Sequence, residues 1–160
     1  QGTAAMELCE EVGHLDLIVA PVGGGGLLAG TCVAAKGISS DIQVFGAEPV
    51  GADDAFRSKA RGELVFNDHP QTIADGLRTN LGAWTWPIIR DQVTGILTIE
   101  EHEIVATMRL FWERTKLLIE PSSAVAVAAA LYKLPVALGR PLKVGVILSG
   151  GNVDLDHLPW

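Results

Sequence analysis

Apolar and polar positions along the chain fall into two alternating kinds of segment. Residues 17–22, within "LDLIVAPV", form an unbroken apolar run with the length and β-branched content of a strand buried on both faces. "IQVFGAEP" (42–49) predicts a second short strand running into a turn, and "GILTI" (95–99) a third. "KVGVILSGGN" (143–152) predicts a last buried strand ending in a serine and two glycines. Helical segments are expected at 6–12, at 27–36, from Glu101 to about Lys116, and over the alanine-rich "SAVAVAAALYKL" (123–134), whose small side chains allow close approach to a sheet. Residues 50–80 are richer in Gly, Asp and Asn and suggest loop with short helices. Strands alternating with helices, without an internal repeat or linker, predict a single α/β domain with a mostly parallel sheet and flanking helices.

The helix signals are local. Thr98 and Glu101 have the T-x-x-E spacing of a capping box, and Ser122 is placed to cap the alanine-rich helix. Ile104, Met108 and Phe111 recur at i, i+4, i+7 and are expected to bury one face of the helix that begins at Glu101. Trp84, Trp86 and Trp112 read as core or interface anchors. His14, His69, His102 and His157 show no ligand spacing and read as surface or loop residues. Cys9 and Cys32 lack a C-x-x-C spacing and read as two buried, reduced thiols.

Composition narrows the function classes. Hydrophobic residues make up 48% of 160 residues and mean hydropathy is +0.30, high enough to suggest apolar surface that belongs against something else. The longest apolar stretch, 124–132, is too short to span a bilayer. The net charge of −7 with scattered Lys and Arg argues against nucleic acid, which requires a basic face. No charged-then-apolar leader opens the sequence, so the expected compartment is the cytoplasm. The chain starts on "QGTAAMELCEE" inside what reads as a helix, as a piece of a longer protein would.

Three stretches could carry chemistry. "APVGGGGLLAG" (20–30) places four glycines between a strand and a helix. Consecutive glycines are costly in either element, whereas a helix start without Cβ atoms lets an anionic group approach the backbone N–H groups closely. No "GK[ST]" follows, so this is not the P-loop pattern. "GAEPVGADDAF" (46–56) sets Glu48 and Asp54 six residues apart on a bent loop; two carboxylates with a backbone carbonyl suit a hard divalent cation, although acidic loops are often merely solvated. Ser149, in "ILSGGN", ends a strand, the end at which open α/β sheets bind ligands. Anion binding at one strand end and a neutral hydroxyl at another suit a phosphorylated aromatic cofactor.

Together "PVGGGGLLAG", "AEPVGADD", "TIADGL", "TWPIIRD", "KLLIEPSSAVAVAAAL" and "LSGGNVD" resemble, in order and over nearly the whole chain, the second half of fold type II pyridoxal-phosphate enzymes, and within them the serine/threonine dehydratase and serine racemase family. The resemblance implies that Gly23, Gly24, Gly25, Gly26 and Leu27 hold the phosphate of pyridoxal 5'-phosphate and that Ser149 faces its pyridine nitrogen. It implies that Glu48, Asp54 and the Ala52 carbonyl hold Mg²⁺ or Ca²⁺. Lys116 and Asn152 match positions that touch a nucleotide effector such as ATP at a subunit interface, and Asp75 and Gly76 are expected near the cofactor.

None of the five lysines, Lys36, Lys59, Lys116, Lys133 and Lys143, stands in the family's Schiff-base setting, which belongs to the first half. The chain is therefore expected to be the C-terminal portion (1–160) of the large cofactor-binding domain and inactive alone. For the full-length protein the sequence favours an L-threonine/L-serine ammonia-lyase acting by β-elimination, with serine racemase or hydroxyaspartate dehydratase as the alternative and a non-catalytic phosphate-binding module as another. A small amino-acid substrate and a homodimer are the expected partners.

Overall fold

Residues Leu17–Pro21 (β1) lie at the centre of the sheet because all five are apolar and buried, leaving no face for water. Three further strands join them: Gln43–Pro49 (β2), Gly95–Ile99 (β3) and Val144–Val146 (β4), in the spatial order β3-β2-β1-β4. Every pairing is parallel; Val19 stands opposite Phe45 on one side and Val146 on the other. The structure, a computed structural model, describes residues 1–134 and 141–160.

Alternation along β1 divides the core into two layers. Ile18 and Ala20 join Ala5 and Cys9 of α1 (Thr3–Val12), Leu28 and Cys32 of α2 (Gly26–Ile38) and Ile89 of α4 (Trp86–Gln92). Leu17 and Val19 point the other way, against Ile104 and Met108 of α5 (Glu101–Thr115) and the alanine-rich α6 (Pro121–Tyr132). A short helix, α3 (Asp54–Arg61), follows β2. From β1 the chain winds outward through β2 to β3, then returns to lay β4 on the opposite side of β1. That reversal opens a crevice at the carboxyl ends of β1 and β4, the position where open α/β sheets take ligands.

The four expected strands are present, the last one shorter than expected, and Cys9 and Cys32 are buried and free with thiols pushed up by burial. Several local expectations are corrected. The capping box of α5 is Glu100 with Glu103, whose carboxylate accepts the Glu100 N–H at 3.0 Å; Thr98 is still inside β3, two residues too early. Glu120, not Ser122, is the N-cap of α6, because Pro121 takes the first helical position, where its missing N–H costs nothing. Helix α4 has no counterpart among the expected segments. Trp84 is 93% exposed and anchors no core, whereas Trp86 is buried and Trp112 meets Trp160 edge to face at 5.3 Å. The four histidines are exposed, as expected. Among the described residues no helix is long and apolar enough to cross a membrane.

Phe111 is only partly buried, and Thr107 completes the buried face of α5 with Ile104 and Met108. Truncating Ile104 to alanine in the full-length protein is expected to cost about 2–5 kcal/mol in chemical denaturation. Phe111→Ala is expected to cost clearly less; equal losses would contradict the observed orientation of α5.

Candidate active site

The glycine loop turns on Gly25, the N-cap of α2, at φ +85°, a left-handed conformation that L side chains rarely adopt. A Cβ there would also lie 2.7 Å from both Thr85 Oγ1 and Ile89 Cδ1, so the position is closed sterically as well. The first bond of α2 runs from Ala29 N–H to the Gly25 carbonyl at 2.8 Å. Among the described residues, none of the amides from Gly23 to Leu28 finds a backbone acceptor. Six consecutive N–H groups without a backbone acceptor at the positive end of a 13-residue helix are the arrangement an anion would require. The loop is held from behind: the Gly24 carbonyl accepts from Gly82 N–H at 3.1 Å and from Thr85 Oγ1 at 2.8 Å.

Gly23, Gly24, Gly25, Gly26 and Leu27 line one wall of a cavity of about 290 Å³. Ser149 lies on the same cavity beyond β4, and Gly76 faces it from the turn after Ala74. The structure thus unites the glycine loop, the terminal serine and Gly76. Asp75 lies outside this cavity, its carboxylate accepting the Gly76 N–H at 3.0 Å. Two polar lining residues escaped the sequence reading as site residues, Glu120 and Ser122 at the start of α6. The signal for them was present in "EPSS": a proline that fixes a helix start turns the residues around it toward whatever the helix end faces. Ser122 is 2% exposed and its Oγ has no hydrogen-bond partner, an orphan that a bound polar group would satisfy. No lysine lines the cavity.

The acidic loop is built differently from a solvated one. Glu48, at the end of β2, is 1% exposed, and its two oxygens accept the amides of Ala55 at 3.2 Å and Phe56 at 2.6 Å in the first turn of α3. Burial nevertheless pushes its carboxyl up to about 9, with nearby Asp54 adding to the rise, and no cationic side chain acts on it. Asp54 is also buried and raised by burial; it accepts Leu81 N–H at 2.8 Å and Asn67 Nδ2 at 3.0 Å. Among the described residues no cationic side chain acts on Glu48 and only Arg57 acts on Asp54; two buried carboxylates so little compensated, beside the backbone of Ala52, are a donor set that fits a hard cation. Among the described residues no group of three or more His, Cys, Asp or Glu is arranged to hold a metal ion, so a cation here would rely on backbone carbonyl and water beside the two carboxylates.

Lys116 and Asn152 are not brought into one cavity. Lys116 closes α5 in a left-handed conformation, φ 64°, with its ammonium donating to the Glu113 carbonyl. Asn152 donates its N–H to Glu120 at 3.1 Å and lines a second cavity, with Arg78 and Asp154, that Lys116 does not reach.

A doubly covered parallel sheet with a glycine-rich turn from β1 into α2 at its switch point defines an α/β domain with a ligand cavity at the carboxyl ends of its strands. The sequence matches the family described as pyridoxal-phosphate dependent enzyme over residues 1–150, and the chain belongs to that family. It is 51% identical over 160 residues to a serine racemase of Dictyostelium discoideum, covering 99% of this chain and 49% of that protein. The maize serine racemase structure superposes with a TM-score of 0.92 at 44% identity, covering 97% of this chain and 48% of the other. A fungal L-serine ammonia-lyase from Rhizomucor miehei gives 0.89 at 26% identity, covering 98% and 53%. The chain thus spans about half the length of these relatives.

Gly25→Ala in the full-length protein is expected to weaken pyridoxal-phosphate binding by about tenfold, since a left-handed non-glycine residue costs roughly 1–2 kcal/mol. Gly37→Ala, in the same helix but away from the cavity and with nothing within 4 Å of its Cβ, is expected to bind nearly as the wild type does. Cofactor titration by absorbance distinguishes the two; equal affinities would remove Gly25 from the site.

Proposed function

We propose that the full-length protein is a pyridoxal-phosphate dependent serine racemase. The observation that carries the reading is the 51% identity to a serine racemase across essentially the whole chain, joined to a cavity with the chemistry the cofactor requires. Bound there, the cofactor supplies an electron sink that acidifies the α-proton of an amino acid. The amides from Gly23 to Leu27 hold the phosphate through backbone N–H groups, which makes the exact side chain at Leu27 a minor matter. Ser149 meets the pyridine nitrogen with a neutral hydroxyl, which, unlike a carboxylate, does not force that nitrogen to carry a proton. The groups that take and return the α-proton come from the remainder of the full-length protein.

A β-elimination of serine or threonine is the second reading, supported by the likeness to the fungal L-serine ammonia-lyase. The sequence alone favours that reaction over racemisation. The relatives support the reverse order, because the serine racemases match this chain at 51% and 44% identity and the fungal L-serine ammonia-lyase at 26%.

Glu48, Asp54 and the Ala52 carbonyl take Mg²⁺ or Ca²⁺ in this reading. The cation acts on structure: Asp54 holds Leu81, and the next residue, Gly82, holds the Gly24 carbonyl of the phosphate loop. The ion therefore stiffens the cradle from behind.

Full-length protein given L-serine is expected to form D-serine, read by chiral chromatography; a 2-oxo acid without D-serine would transfer the assignment to the dehydratase. Chelation is expected to lower the melting temperature by several degrees, restored by added Mg²⁺. In Glu48→Gln that chelator-dependent shift is expected to vanish; its persistence would place the cation elsewhere.

A further inference from the structure

The first turn of α3 gathers more charge than the two buried carboxylates. Asp53, immediately before Asp54, is half-buried, and its Oδ1 accepts from Arg57 Nε at 2.7 Å across one helical turn. An ion pair of this exposure adds little to stability, but it does not stand alone. The same guanidinium donates through Nη2 to Asn67 Oδ1, and Asn67 Nδ2 donates to Asp54 Oδ1 at 3.0 Å. A guanidinium only donates and a carboxylate only accepts, so the Asn67 amide can meet these two partners in one orientation. Asn67 is itself pinned: its N–H donates to Asn80 Oδ1 at 2.6 Å and its carbonyl accepts from Asn80 Nδ2 at 3.3 Å. Arg57 therefore holds a positive charge one amide away from Asp54. Among the described residues no other cationic side chain acts on Asp54 or Glu48, whereas Asp53 opposes negative charge on both. Ionised to receive a cation, Glu48, Asp53 and Asp54 together with Arg57 leave two negative charges uncompensated, the charge of one divalent ion.

We propose that Arg57 sets the affinity and the valence preference of the Glu48–Asp54 site, as a resident cation that cancels Asp53 and leaves the pocket matched to a divalent ion. The proposal rests on the reading of Glu48, Asp54 and the Ala52 carbonyl as a cation site and adds the residue that adjusts it. Arg57 is a positioning residue: it acts through Asp53 and Asn67. Without its charge Asp53 is uncompensated, and the pocket attracts every cation more strongly. A trivalent ion gains most, because Coulomb energy scales with the charge of the ion. Without Asp53 the guanidinium is uncompensated and repels the ion. Without both, the balance returns to that of the wild type. A residue that merely kept the loop in shape would weaken binding when removed, and loss of its partner would not restore it.

The test is calorimetric titration of chelator-stripped full-length holoprotein with Ca²⁺ and, separately, with Tb³⁺. Arg57→Gln is expected to bind Ca²⁺ roughly three- to tenfold more tightly, the scale of a unit charge acting on a divalent ion under water-like screening, and to gain more for Tb³⁺. Asp53→Asn is expected to weaken Ca²⁺ binding by a similar factor, and the double variant to return close to the wild type. Arg57→Lys keeps the charge and is expected to stay near the wild type. Weaker Ca²⁺ binding in Arg57→Gln overturns the proposal, as does a double variant weaker than either single one or an Arg57→Lys affinity equal to that of Arg57→Gln. Where Arg57→Gln does not fold, Asp53→Asn decides alone: unchanged or tighter Ca²⁺ binding overturns the proposal. Wild-type protein that takes up no Ca²⁺, or uptake that survives Glu48→Gln, overturns the reading of the site and the proposal with it, a failure distinct from a site that binds the ion and ignores residue 57.

Discussion

At Gly25 the backbone rotates into the left-handed region, and that single turn converts the end of a buried strand into the start of a helix aimed at the same crevice. Without it, α2 would leave β1 with its amides facing protein or with side chains between them and a ligand. With it, the five amides from Gly23 to Leu27 stand beside the cavity without a backbone acceptor, the arrangement by which a helix start takes an anion. The arrangement suits a chain of net charge −7, where the dipole of one helix offers positive potential without a basic side chain.

The loop is supported by a chain of contacts that begins in the acidic segment. Glu48 fixes the first turn of α3 through the Ala55 and Phe56 amides; Asp54, first residue of that helix, holds Leu81 and Asn67; Gly82 and Thr85 then clasp Gly24. Each link is a hydrogen bond between a buried or half-buried group and a neighbouring element, so displacement at one end has few soft side chains to absorb it. On the opposite wall, Ser123, Gly150 and Glu120 form a similar clasp between the start of α6 and the end of β4.

The architecture was legible because a continuous, β-branched apolar run as short as 17–22 suits a strand buried on both faces, and the four glycines marked the loop between strand and helix. What remained hidden depended on tertiary choices. Thr98 satisfied the spacing of a cap, but strand pairing with Glu48 holds it inside β3, so the helix starts on Glu100 instead. Glu48 read as a metal carboxylate alone; only the packed structure shows that it also secures the start of α3. Ser122 and Ser123 are neighbours of the same type, yet one faces the cavity without a partner and the other is buried and bonded to both backbone groups of Gly150. No local rule separates them, because the distinction comes from where residue 150 returns.

That return sets an order of events for a chain leaving the ribosome. Strands β1, β2 and β3 all fall within residues 17–99, but β4 is synthesised more than a hundred residues after the partner it must find. Pairings so distant in sequence form slowly. The wall built by the glycine loop can therefore form before the opposite wall, and the cavity is complete only once β4 has joined β1.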